Sequence, residues 1–188
     1  MKIILASASE RRQELLGRLV KEFDVVVSDF DENSVVFKGS IDDYVKNVAL
    51  GKAMDVKEKL DEDAIIISAD TIVTLENKIL GKPKDEDEAF KMIKSLQGKG
   101  HKVYSGIVVI NTAKNVIKQE SLCTEVTFSK ISDDEIIEYI KTGEPLDKAG
   151  AYGIQGIGGI FVKEIRGCYY NVVGLPLNKL KSMLEDVK

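Results

Sequence analysis

Apolar and polar positions regroup along the chain so as to predict strands interleaved with helices. Residues 2–6 centre on Ile3, Ile4 and Leu5 and read as a short strand. Over residues 10–20 the period changes, and Leu15, Leu16, Leu19 and Val20 fall on one face of a helix. Residues 25–28 read as a second strand. A long helix begins at 40–43 and runs to about residue 60, with Tyr44, Val45, Val48, Ala49 and Ala53 on its apolar side. The run at 64–68 is almost wholly apolar, as in a strand buried on both faces. Residues 71–75 and 78–80 predict a hairpin turning at Glu76 and Asn77. A helix at 85–96 precedes two long strands, 102–111 and 116–128, joined at 112–115. Ser132 and Glu135 have capping-box spacing for a helix to about Lys141. A glycine-rich stretch at 150–159 precedes a strand at 160–165, and Pro176 opens a last helix. The fold class is α/β, and the long pair at 102–128 argues against a purely parallel, doubly wound sheet. With 188 residues and no repeat or linker, the chain reads as one domain, or two small lobes sharing a core.

Composition narrows the function classes. A net charge of −4 argues against a general nucleic-acid surface, though a local positive pocket would select a compact anion. Cys123 and Cys168 have neither metal-site spacing nor a disulfide framework, which points to a reducing cytoplasm. Met1 and Lys2 lead straight into a strand, so no signal peptide is expected, and no apolar run is long enough to span a bilayer. The single histidine, His101, excludes a multi-histidine metal site and reads as structural. With 6% aromatic residues and no tryptophan, there is no stacking platform for single strands.

Four segments carry candidate chemistry. In the first, Leu5-Ala6-Ser7-Ala8-Ser9-Glu10-Arg11-Arg12, a strand gives way to a helix, and Ser7 with Glu10 fits a capping box. Free N–H groups at a helix start attract anions, and two arginines in that turn add positive charge to an end that prefers acids. The segment is either an anion site or a capped surface helix with solvated arginines. In the second, Ser68-Ala69-Asp70-Thr71, an aspartate is expected beyond the end of a buried strand, where α/β sheets place ligands. It can hold a cation or take a proton from water, or it can start an Asx turn. Asp29, Asp31 and Glu32 could add carboxylates from another loop. The third, Gly81-Lys82-Pro83, places a lysine where it can reach a phosphate as a point charge or simply face solvent. Lys52 follows Gly51 inside the long helix; that glycine costs roughly 1 kcal/mol relative to alanine and permits close backbone approach. The fourth runs from Asp147 to Gly159 and matches neither a Walker loop nor a dinucleotide fingerprint. Its Gln155 has the donor and acceptor needed to read a base edge, or to bond the backbone of its own loop. The acidic run at 85–88 sits at a predicted helix start and is read as structural.

The order of these segments, closed by Val172-Val173-Gly174-Leu175-Pro176, resembles the Maf family of nucleoside triphosphate pyrophosphatases over essentially the whole chain. The resemblance is to the branch acting on dTTP and UTP, carried by Ser7, Ser9, Arg11, Arg12, the Asp70-Thr71 pair and Gln155. Glu10 departs from that pattern, standing where many members have proline. The resemblance implies a single domain over 1–188, with a twisted mixed sheet, flanking helices and two lobes around a cleft, similar to the inosine triphosphatase fold. It implies that Ser7, Ser9, Arg11, Arg12, Lys52 and Lys82 grip the triphosphate, and that Thr71 and Gln155 recognise the pyrimidine. Asp70 is implied as general base, and Asp70 with Glu32 as ligands of a divalent metal, Mg²⁺ first and Mn²⁺ or Co²⁺ as alternatives. The implied partners are nucleoside triphosphates, with no nucleic-acid polymer and no membrane; a homodimer is compatible with it. Two rival readings are a non-catalytic nucleotide-binding regulator of cell division and a pyrophosphatase for deaminated purine triphosphates. Intact Asp70 and Lys82 argue against the first, and the Asp-Thr and Ile-Gln-Gly motifs against the second.

Overall fold

The apolar run at 64–68 is the start of β3 (Ala64–Leu75), a 12-residue strand in a computed structural model that describes residues 1–188. β1 (Lys2–Leu5) lies parallel to β3, with Ile4 opposite Ile66 and Leu5 opposite Ile67. β2 (Asp24–Val25) lies parallel on the other side of β1. Parallel neighbours need crossover connections, and α1 (Glu10–Gly17) and α2 (Ile41–Glu58) supply them. β4 (Lys78–Leu80) instead turns straight back, antiparallel to β3. Its turn residues, Glu76 and Asn77, both have positive φ (50° and 65°), the conformation a two-residue hairpin loop favours. β5 (Gly100–Asn111), β6 (Val116–Phe128) and β7 (Val162–Arg166) complete a seven-stranded mixed sheet in the order β2-β1-β3-β5-β6-β7, with β4 paired to β3. The remaining helices are α3 (Glu86–Leu96), α4 (Asp133–Ile140), α5 (Tyr169–Val173) and α6 (Leu177–Asp186).

The chain divides into two compact units. The first comprises Met1–Asp70, Ser105–Leu122 and Gly174–Lys188. Its core sets Ile4, Ile66, Val108 and Ile110 of the sheet against Ala49 and Ala53 of α2. Small residues let this helix lie close: a Cβ on Gly106 of β5 would stand 2.4 Å from the Val45 carbonyl oxygen. The second unit comprises Thr71–Tyr104 and Cys123–Val173. Here Ile93 and Leu96 of α3 and Ile136 and Ile140 of α4 surround Phe128 of β6. His101 is buried in this core and shares a 2.8 Å hydrogen bond with the Tyr152 hydroxyl. Its ring stands edge-on to Phe128 at 4.9 Å, the structural role its position predicts.

The α/β class, the hairpin at Glu76 and Asn77, and the Ser132–Glu135 capping box are as expected. The acidic run is structural too: Asp85 caps α3 by accepting from the Glu88 N–H at 2.8 Å. Several expectations are corrected. α1 ends at Gly17 rather than residue 20, because the chain loosens into a turn in which Arg18 N–H reaches Leu15 O. The expected Ser7–Glu10 capping box does not form: Ser9 is the N-cap, extended at φ −67°, ψ 114°, and its side chain accepts from the Arg12 N–H. The residue three beyond the cap is then an arginine, which has no acceptor to return the bond. β3 continues through Asp70, which lies within the strand and not beyond its end. α5 was not foreseen, since five residues are too few to display a helical period.

Candidate active site

Two contacts in the first unit set the central geometry. The Ser68 hydroxyl donates to the Ala49 carbonyl at 2.6 Å, fixing α2 on β3. Asp70 is two residues further along the strand, on the same face as Ser68, and Lys52 is three residues further along the helix, on the same face as Ala49. Lys52 Nζ therefore meets Asp70 Oδ1, at 2.8 Å. Both groups are largely shielded, with side chains 13% and 10% exposed, so water screens their attraction little. A second carboxylate reaches the same ammonium: Glu32 Oε1 is 2.8 Å from Lys52 Nζ.

Glu32 comes from a loop that α2 holds down. Asp55 accepts from the Ser28 hydroxyl and from the Asp29 N–H, both at 2.9 Å, and Lys59 bridges Asp55 and Asp29. The far end of the Phe30 ring reaches α2 where Gly51 has no side chain; a Cβ there would stand 2.2 Å from Cζ. The glycine before Lys52 thus permits a close approach, as its place in the helix suggests.

The loop before α1 adds positive charge to this neighbourhood. Ser7 is buried, and its hydroxyl oxygen accepts from the Ser9 N–H and from Arg12 Nη1, each at 3.3 Å. Arg12 Nε donates to the Gly174 carbonyl at 2.9 Å, tying α1 to the segment before α6. Burial pulls the Arg12 pKa down, and Arg11 adds repulsion, while the charges of Asp70 and Glu32 oppose both. Arg12 therefore lies within the electrostatic reach of both carboxylates. Ser9 caps the helix, and Arg11 is half-buried in its first turn. The structure brings Ser7, Arg12, Lys52, Asp70 and Glu32 into one constellation.

The other candidates belong to the second unit. Thr71 follows Asp70 on β3, and alternation along a strand turns it to the opposite face. Lys82 is exposed, and the Gly81 carbonyl beside it accepts from the Gly150 N–H at 3.0 Å. That bond ties the Lys82 turn to the glycine-rich segment. Gly150 has φ 71° and its missing Cβ would lie 3.0 Å from Val73. Gln155 is exposed in a turn between two 3₁₀ segments, Ala149–Ala151 and Ile157–Phe161.

One group in that loop was missed from sequence. Glu144 Oε2 accepts from the Ile157 N–H at 2.8 Å, and Oε1 accepts from the Gly158 N–H at 3.1 Å and from the Tyr139 hydroxyl at 2.8 Å. The Tyr139 oxygen in turn accepts from the Gly153 N–H at 3.3 Å. A carboxylate just ahead of a glycine-rich run was the available signal, since such a run offers many N–H groups and few side chains to pair them.

The pattern of the Maf-like protein family matches residues 2–187. The chain belongs to the Maf family. A dTTP/UTP pyrophosphatase of Clostridium beijerinckii is 78% identical over 188 residues, the whole of both chains. One from Clostridium novyi is 58% identical, over 100% of this chain and 98% of the relative. Among solved structures, the Staphylococcus aureus Ham1 protein matches over 100% of both chains with a TM-score of 0.52 at 18% identity, which shows a shared fold. This agrees with the mixed sheet and flanking helices of the Maf chain described here.

Proposed function

We infer that this chain is a nucleoside triphosphate pyrophosphatase that hydrolyses dTTP and UTP to the monophosphate and pyrophosphate. The observation that carries the reading is the convergence of Asp70 and Glu32 on Lys52, each at 2.8 Å, in a Maf chain 78% identical to a relative of that name.

The triphosphate meets the start of α1 and the cations Arg11, Arg12 and Lys52, with Lys82 as a further phosphate ligand. Backbone N–H groups at a helix start and charge-assisted bonds from arginine are suited to this task. Asp70 and Glu32 both pair with the Lys52 ammonium, which brings two carboxylates close together; with Lys52 turned to the phosphates, they would hold a hard divalent cation. When bound, it neutralises charge on the phosphate oxygens. Asp70 takes a proton from water as the water oxygen attacks the α-phosphorus. The bond from that phosphorus to the oxygen bridging it to the β-phosphorus breaks, and pyrophosphate leaves. Thr71 and Gln155 are assigned to the pyrimidine: Gln155 can donate to a carbonyl and accept from the ring N–H between the two carbonyls.

No helix is long and apolar enough to cross a membrane. We place the enzyme in the cytoplasm, where Cys123 and Cys168 stay as free thiols.

The deciding experiment incubates the protein with Mg²⁺ and a panel of canonical and deaminated nucleoside triphosphates, assaying pyrophosphate and orthophosphate separately. The expected result is pyrophosphate release with kcat/KM highest for dTTP and UTP. Orthophosphate release that leaves the diphosphate would overturn the mechanism. A higher kcat/KM for purine triphosphates would overturn the substrate assignment.

A further inference from the structure

The loop from Gly153 to Gly158, with Gln155 near its middle, has one backbone turn bond of its own, Gly156 N–H to the Gly153 carbonyl at 3.2 Å, and one carboxylate gathers its other N–H groups. Glu144 receives the Ile157 and Gly158 N–H groups on the far side of Gln155, and through Tyr139 it governs the Gly153 N–H on the near side. Three glycines make room for this arrangement. A Cβ on Gly156 would lie 2.3 Å from Glu144 Oε2, one on Gly158 2.5 Å from the Tyr139 hydroxyl, and one on Gly153 2.7 Å from the Lys148 Cε. Tyr139 is itself fixed, 2% exposed and edge-on to Phe161 at 5.1 Å. Lys148 is anchored on the Glu144 carbonyl at 2.9 Å.

Burial alone would raise the Glu144 pKa. The N–H groups of Gly158 and Ile157, the Tyr139 hydroxyl and the Lys148 charge outweigh it and hold the value below the ordinary carboxylate range. At neutral pH the group is therefore an anion with acceptors only, which three donors pointing at it require. Glutamine in its place would keep the size but present one NH₂ group to an N–H or hydroxyl donor. Whichever donor faces that NH₂ group loses its acceptor, so one anchor of the loop would be released.

We propose that Glu144 is a positioning residue for base selectivity: its carboxylate, with the Tyr139 hydroxyl, holds the 153–158 loop so that Gln155 meets the edge of a uracil or thymine base. The proposal rests on the assignment of Gln155 to the pyrimidine. A hydrogen-bonding reader is sensitive to placement, because an ångström of displacement loses both of its bonds to the base while leaving the phosphate grip intact.

The test measures kcat/KM for UTP, dTTP, ATP and GTP in wild type, Glu144→Gln, Gln155→Ala and the double variant, with thermal melting alongside. Glu144→Gln is expected to lower kcat/KM for the pyrimidines on the order of 10- to 100-fold and for the purines far less. The double variant should be no less selective than Gln155→Ala alone, since the two residues act through one contact. Equal losses for all four nucleotides, or a lower melting temperature with selectivity kept, would overturn the proposal. If Gln155→Ala keeps the pyrimidine preference, the assignment of Gln155 fails and takes the proposal with it. If Gln155→Ala loses the preference and Glu144→Gln keeps it, only the role of Glu144 fails. Should Glu144→Gln not fold, Tyr139→Phe decides: it removes the hydroxyl that links Glu144 to Gly153. A reduced pyrimidine preference supports the proposal, and an unchanged one overturns it.

Discussion

Asp70 and the cations around it differ in how much structure depends on each. Asp70→Asn removes the charge and the basicity but keeps the size, and Glu32 still pairs with Lys52. The variant is expected to stay folded, with its circular dichroism unchanged, and to lose about 10²-fold or more in kcat. Near-normal turnover in the folded variant would exclude Asp70 as the base. Lys82 is exposed, so Lys82→Ala should weaken triphosphate turnover with no change in melting temperature. A charge-assisted bond is worth about 1.5–3 kcal/mol, so the loss in kcat/KM is expected at roughly 10- to 100-fold, alike for every base. Arg12→Ala should lose activity and also stability, because Arg12 holds the Gly174 carbonyl and the Ser7 hydroxyl. A Lys82→Ala variant that altered base preference without slowing turnover would place that side chain at the base.

Between elements, the seat of Phe30 on Gly51 couples the Glu32 loop to α2. Gly51→Ala improves local helix propensity by roughly 1 kcal/mol, yet its methyl group would occupy the space of the ring. Phe30 must then lift, and Glu32 moves with its loop. If Glu32 helps to hold the metal, the Mg²⁺ concentration for half-maximal activity should rise on the order of 10-fold, as happens when groups supporting a metal ligand are disturbed. Titrating Mg²⁺ against initial rate checks this, and an unchanged midpoint would remove Glu32 from the metal site.

For the whole molecule, His101 predicts how stability responds to acid. Burial lowers its pKa from 6.5 to about 4, and its Nδ1 is buried without a partner, so a second proton would have no acceptor. Between those values the unfolded chain binds a proton that the folded chain does not, so stability rises with pH there. The contribution is complete above pH 6.5 and disappears as pH falls through about 4, amounting to about 3 kcal/mol at 1.36 kcal/mol per unit. Urea denaturation from pH 7 to 4 should show this slope, and His101→Gln should flatten it. An equal slope in both proteins would assign the acid sensitivity to other groups.

The amino-acid sequence by itself determined the α/β class, the hairpin at Glu76 and Asn77, the acidic start of α3, the capped start of α4, and which segments carry the candidate chemistry. These are local matters: period, capping and turn preference act over a few residues. The resemblance to the Maf family was legible for the same reason, as five short motifs in order. Whether Asp70 ended a strand or lay within one was not local, because the strand is extended by pairing with distant segments. Nor was the cap of α1, where Ser7 was withdrawn from the helix by Arg12 and Ser9 took its place. Only the tertiary structure set Lys52 between Asp70 and Glu32, through the packing of Ser68 on Ala49 and of Phe30 on Gly51. The glycine-rich run beside Glu144 hinted at N–H groups in need of an acceptor, but only the tertiary structure set the carboxylate against the Ile157 and Gly158 N–H groups and the Tyr139 hydroxyl. Such contacts depend on where folded segments meet, and no period or motif in the chain records that.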